Sequence, residues 1–199
     1  MPSNPAPAFS LSAWTDESVI VGNDIRAGTY TLAAVVAETA AVASIRDMLQ
    51  ALTEEKVVRL HWVAESAKRR DLIAQAIAGL DIAAIVAVGS PVDRQKQERA
   101  RRCVLERLLY ELDLLGVTQV WLESRAPSQD RRDRRLVDSA RGKGLISRER
   151  EVDFAQPLQE AMLWLPDAVA GAVTAANLGE SRWLLTFSEV ATVHQVTVR

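Results

Sequence analysis

The sequence predicts an α/β fold, a mixed β-sheet flanked by helices, and three observations carry that expectation. Two strand-like apolar runs, 11–21 and 30–37, come first and are separated by the turn-forming Gly22-Asn23-Asp24, as in an antiparallel pair. From residue 81 onward, apolar runs of strand length alternate with helical patterns, the signature of helices packed on a sheet. Between these halves, Asp81 to Val88 (DIAAIVAV) is continuously apolar and closed by Gly89-Ser90-Pro91, which suits a central strand covered on both faces.

The elements follow in order. Residues 1–10 open Pro-rich and read as a flexible tail, leaving 11–199 as a single domain. With 199 residues and 48% hydrophobic content, the chain is long enough for one well-buried core and little more. Strand one is 11–21, and 30–37 (YTLAAVVA) is its antiparallel neighbour. Val42 to Leu52 predicts a short helix. Lys56 to Val63 (KVVRLHWV) is rich in β-branched residues and predicts a third strand. Lys68 to Leu80 predicts a helix with Leu72, Ile73, Ala76, Ile77 and Leu80 on one face. After the central strand, a long helix runs from about Gln95 to Leu115, with Ala100, Val104, Leu108, Leu112 and Leu115 toward the core. Val117 to Leu122 is the next strand, Gln129 to Lys143 a very basic helix, and Val152 to Phe154 a short strand. Pro157 to Leu178 is helical with a break or kink at Pro166, and the alternating segment 183–198 predicts a hairpin.

Composition narrows the function. Net charge is −2, yet residues 94–150 hold 15 Lys/Arg against 9 Asp/Glu, so a basic segment sits on an acidic body. That asymmetry suits an anionic partner bound on one side, or equally a set of solvated helix faces. The single cysteine, Cys103, excludes a disulfide framework and a thiolate metal cluster; its place among apolar helix positions predicts packing. No signal peptide is visible, and the longest apolar candidate, Ala161 to Leu178, is interrupted by Pro166, Asp167 and Asn177, so a cytoplasmic protein without a membrane partner is expected. There is no GxxxxGK[ST], no strand-linked GxGxxG, no GxSxG, and no zinc spacing around His61 and His194.

What remains is a set of acids in unusual places. Asp16 and Glu17 lie within strand one, where alternation sends them to opposite faces, so at least one points into something covering the sheet. An unpaired buried carboxylate costs several kcal/mol or takes up a proton, unless a cation is present. Glu123 directly follows a predicted strand, at the end where ligand sites of open α/β sheets lie, although a plain loop acid reads the same way. Asp167 shares a helical row with Leu163 and Gly171 on a packing face; it is a site acid or simply a first-turn acid after Pro166. Glu111 falls in the core arc of the long helix, where Arg107 one turn earlier would neutralise it in preference to metal ligation. His61 is a packed histidine, or a ligand or proton carrier.

Asp16-Glu17-Ser18, Leu60-His61-Trp62, Glu123-Ser124-Arg125 and the stretch from Trp164 to Val173 (WLPDAVAGAV) together resemble the DUF3800 family, in order and spacing, over about Leu11 to Leu178. Two positions depart from that family's pattern: Glu123 stands where Asp is usual, and Pro166 where Ala precedes the helical Asp. The resemblance implies an RNase H-like fold of three α/β/α layers and a metal-dependent nuclease site built on Asp16, Glu123 and Asp167, with Glu17, His61 and Glu111 as possible accessories. Carboxylates of this kind suit Mg²⁺ or Mn²⁺, and two ions about 4 Å apart would serve phosphodiester hydrolysis. Arg131, Arg132, Arg134, Arg135, Arg141 and Lys143 would then hold a DNA or RNA backbone without base specificity. The rival expectations are an inactive nucleic-acid-binding module and a protein-interaction domain whose C-terminal strand joins a partner or a second copy.

Overall fold

The computed structural model describes residues 10–23, 26–54 and 57–198. Six strands form one mixed sheet: β1 (Leu11–Ile20), β2 (Thr29–Glu38), β3 (Ala83–Ser90), β4 (Val117–Glu123), β5 (Glu151–Ala155) and β6 (Ala191–Thr197). Six α-helices accompany them: α1 (Val42–Ala51), α2 (Ala67–Ala78), α3 (Gln97–Leu114), α4 (Pro127–Gly142), α5 (Trp164–Asn177) and α6 (Arg182–Thr186). The strand order is β5-β4-β1-β2-β3-β6. β2 runs antiparallel to both its neighbours, β1 and β3, whereas β4 joins β1, β5 joins β4 and β6 joins β3 in parallel.

The sheet is buried on both sides, so the central strands read as the continuous apolar runs that this burial requires. On one face, Trp14, Val35 and Val86 pack with α1, α2, α5 and Trp183 of α6. On the other, Ala13, Leu32 and Ile85 pack with α3 and α4. The result is the three-layer α/β/α arrangement expected from the sequence. Gly116, at φ 75, ends α3 and turns the chain into β4 in a backbone conformation that side-chain-bearing residues rarely adopt.

Several expectations are corrected. The described part of the 56–63 run is no strand: Val58 and Val63 are exposed, and Trp62 plunges into the core at the start of a short 3-10 helix, Trp62–Ala64. The Trp62 side chain packs against Gly171 and Trp183, and that tertiary contact overrides the local strand preference. The C-terminal segment is not a hairpin, because α6 precedes β6 and the latter pairs in parallel with β3. Leu72 of α2 and Leu115 after α3 are exposed; Ile73, Ala74 and Ile77 make the buried stripe of α2. Pro166 does not kink a longer helix. A 3-10 turn (Ala161–Leu163) leads into α5, and Pro166 sits in its first turn, where backbone N–H groups lack intrahelical partners anyway. The predicted tail, apart from Ser10, and Asp24 of the predicted first turn lie outside the described residues.

Candidate functional site

The parallel pairing of β1 with β4 brings the first two acids together. Thr15 is in register with Leu122, so the next residues on each strand, Asp16 and Glu123, are neighbours and share a face. Their carboxyl groups are hydrogen-bonded. The third acid arrives from the layer above: Asp167 lies in the first turn of α5, which packs across β1 and β2. All three border a cavity of about 240 Å³ that Arg59, His61 and Trp164 also line.

This crowding decides the ionisation of Asp16. Burial comes first, then the hydrogen bond with Glu123 and the charges of Glu123 and Asp167; together they push its pKa up from 3.8 to about 9. The Glu17 N–H donates to Asp16 Oδ1 at 2.6 Å and pulls the other way, without reversing the shift. At neutral pH Asp16 therefore keeps its proton and the cluster is short of positive charge. Among the described residues, no group of three or more His, Cys, Asp or Glu side chains is arranged to hold a metal ion as it stands.

Asp167 is fixed from outside the trio. Its Oδ2 accepts the Trp62 backbone N–H at 2.9 Å and lies 3.2 Å from His61 Nδ1. The Trp62 ring reaches this position because residue 171, one helical turn beyond Asp167, is glycine: a Cβ there would collide with Trp62 Cδ1. Trp62 is further held edge-on to Trp183, 5.4 Å between ring centroids, with the Arg70 guanidinium over both rings. Arg70 also donates to the carbonyls of Trp62 and Val63 at 2.9 and 3.0 Å. Asp167 is thus both a first-turn acid and a member of the acid cluster; the two readings of its sequence context coincide.

No protein-family model matches this chain, and no curated protein does. The site therefore rests on its own geometry.

Glu17 also borders the acid cavity, but its carboxylate is engaged on the α3 side, as alternation requires. There it accepts from the Tyr30 hydroxyl and from Arg101 Nη1. Arg101, 3% exposed, also donates through Nε and Nη2 to Asp133 at 3.1 and 2.8 Å. Arg125 closes the network, donating to Asp133 at 3.1 Å and to Glu98 at 3.3 Å. Burial alone would lower the Arg101 pKa, but the hydrogen bonds to Asp133 and the charge of Glu17 raise it well above its ordinary value. Burial, and then the charge of Glu17, push the Tyr30 phenol up. Every acid in this network has a guanidinium.

The remaining candidates do not join the trio. Glu111 pairs with Arg107 at 2.7 Å, as its spacing suggested, beside His194 on the α3 side of the sheet. The basic residues of α4 also belong to that side, and they divide around the helix. Arg134 lies 4.6 Å over the Phe154 ring and Arg141 donates to the Arg150 carbonyl, both toward β5. Arg132, Arg135 and Lys143 line a groove against α3, while Arg131 is exposed, its carbonyl accepting from Arg135 Nε.

Three features were missed in the sequence. Arg59 carried no signal, because its segment read as a strand. Arg101 did: it falls beside Ala100 and three residues before Val104 on the buried arc of its helix. Asp133 did too, as an acid four residues before the buried Val137 in an otherwise basic helix.

Proposed function

We propose that this chain is a divalent-metal-dependent phosphodiester hydrolase acting on nucleic acid, with Asp16, Glu123 and Asp167 as its functional carboxylates. One observation carries the reading: acids from β1, β4 and α5 converge on one cavity, with no cationic partner among them strong enough to keep Asp16 ionised. Hard oxygen donors of this kind suit Mg²⁺ or Mn²⁺, and Asp16, Glu123 and Asp167 would have to draw together to hold one, since they are not arranged for it as they stand. Such an ion supplies Lewis acidity toward a phosphoryl oxygen and acidifies bound water.

The chain's own residues perform the other tasks. To hold a cation Asp16 would have to give up its proton, so binding would tighten as pH rises toward 9. The Trp62 N–H keeps Asp167 oriented. Arg59 lines the same cavity and makes no ion pair among the described residues, so it is free to take a non-bridging phosphate oxygen through charge-assisted hydrogen bonds. His61 turns Nδ1 toward Asp167, which leaves its other nitrogen for a contact with substrate or water.

Labelled DNA, RNA and hybrid substrates with Mg²⁺ or Mn²⁺ test the reading. Wild type should cleave at least one of them, and EDTA or Asp16→Asn should abolish cleavage. Equal cleavage by wild type and Asp16→Asn would overturn it.

A second reading, an inactive nucleic-acid-binding or protein-interaction module, is favoured by a different observation. Asp167 Oδ2 is already occupied by Trp62 and His61, and protonated Asp16 interacts with Glu123 without a cation. On that reading Mn²⁺ leaves the thermal midpoint unchanged, whereas the hydrolase reading requires an upward shift.

A further inference from the structure

We infer that the groove between α3 and α4 is a separate binding site for phosphate groups, and that its occupant is the sugar–phosphate backbone of a nucleic acid. The groove is the larger cavity of the two, about 470 Å³ against about 240 Å³ at the acid trio, and it lies on the opposite side of the sheet. Five basic and three acidic side chains line it.

The pairing of those charges leaves two guanidiniums over. Glu98 is engaged by Arg125 and Arg132 at 3.3 and 3.5 Å, Glu106 by Lys143 at 3.2 Å, and Asp133 by Arg101 at 2.8 Å. Arg102 sits between Glu98 and Glu106 in the i, i+4 row of α3, yet makes no hydrogen bond or ion pair among the described residues. Arg135, across the groove on α4, donates only to the Arg131 carbonyl, at 3.3 Å. Both are exposed, and they come from two different helices. Ser139, one turn beyond Arg135, adds a hydroxyl donor to the same wall.

Two unpaired planar forks and a hydroxyl on facing walls match a tetrahedral oxyanion. Shape then selects a polymer over a lone anion. From Arg132 to Lys143, just past the end of α4, this wall spans twelve residues, about 16 Å at the helical rise, which covers several phosphates of one strand. Leu136 is the one large apolar residue of the lining, and no aromatic ring is present to stack a base. The contacts therefore go to the backbone, and binding is indifferent to sequence.

This inference does not rest on the hydrolase reading, and the experiment keeps the two apart. Fluorescence anisotropy of a fluorescein-labelled single-stranded oligonucleotide is followed with the full chain in EDTA, so that nothing is cleaved. Wild type and Asp16→Asn should bind alike. The double variant Arg102→Gln/Arg135→Gln should bind at least about tenfold more weakly. The slope of log affinity against log salt should fall by about 1.4, because each phosphate deprived of its guanidinium takes about 0.7 from it. All the substituted side chains are exposed, so the unfolding midpoint should stay put. Ser139→Glu, which places a negative charge in the groove without removing a base, should weaken binding as well. Undiminished binding in both variants overturns the site, as does failure of wild type to bind. Displacement by inorganic phosphate at concentrations matching the oligonucleotide's phosphates would overturn the polymer assignment, and equal affinity for polyglutamate would overturn the phosphate assignment.

Discussion

Two neighbouring acids on β1 meet opposite fates. Glu17, on the α3 side, is answered from within the chain: Arg101 and Tyr30 donate to it, and Arg101 and Arg125 answer Asp133 beyond it. Asp16, on the α5 side, meets Glu123 and Asp167 instead, and stays protonated up to about pH 9. Burying a charge is tolerable when its counterion is built in, and such a network is a structural solution. A buried acid cluster without one is stable only with a shared proton or with a cation taken from solution. The α3 face is closed electrostatically; the α5 face is open.

Breaking the closed face should have the largest effect. Arg101→Met strands Glu17 and Asp133 without their central cation, and the loss should be about 3–5 kcal/mol in urea denaturation, with no rescue by Mn²⁺. A loss below about 1 kcal/mol would mean that the network is not what holds α3 and α4 to β1. Next comes the support of the open face. Gly171→Ala forces the Trp62 ring off α5, so about 1–3 kcal/mol of stability should go, along with part of the response to Mn²⁺. An unchanged variant would show that the Trp62 ring relaxes freely.

The pH dependence separates the faces more gently. Folded Asp16 keeps a proton that the unfolded chain releases above about pH 4, so it stabilises the metal-free fold at low pH. That contribution disappears as pH rises toward 9, with a slope of at most about 1.4 kcal/mol per pH unit. Asp16→Asn should flatten the decline; a wild-type profile identical to the variant's would contradict a protonated Asp16. The smallest effect belongs to a pair with one exposed partner. Arg107→Ala removes the partner of Glu111 and should change stability by no more than about 1 kcal/mol in thermal unfolding, because Arg107 is 43% exposed. A larger loss would place Glu111 among the acids that need a built-in cation.

Much of this was legible before the fold. Alternation along β1 separated Asp16 from Glu17, and continuous apolarity marked β3 as covered on both faces. The i, i+4 spacing foretold the Arg107–Glu111 pair. Other features depend on contacts between distant segments. Lys56 to Val63 has strand composition, but Trp62 finds its place against Gly171, more than one hundred residues away, and that packing carries Arg59 and His61 to the cavity. The basic helix read as one surface, whereas helical geometry divides it between β5 and the α3 groove. Residue type suggested a trio of acids; only the register of β1 with β4 makes Asp16 and Glu123 partners.

The most direct test is calorimetric titration of Mn²⁺ into the metal-free protein near pH 7.5, repeated in buffers of different ionisation enthalpy. Saturable binding with release of about one proton is expected, because Asp16 must ionise to receive the cation, and Asp16→Asn should lose both the binding and the proton. Absence of binding, or binding that Asp16→Asn leaves unchanged, would contradict a cation site on the open face of the sheet.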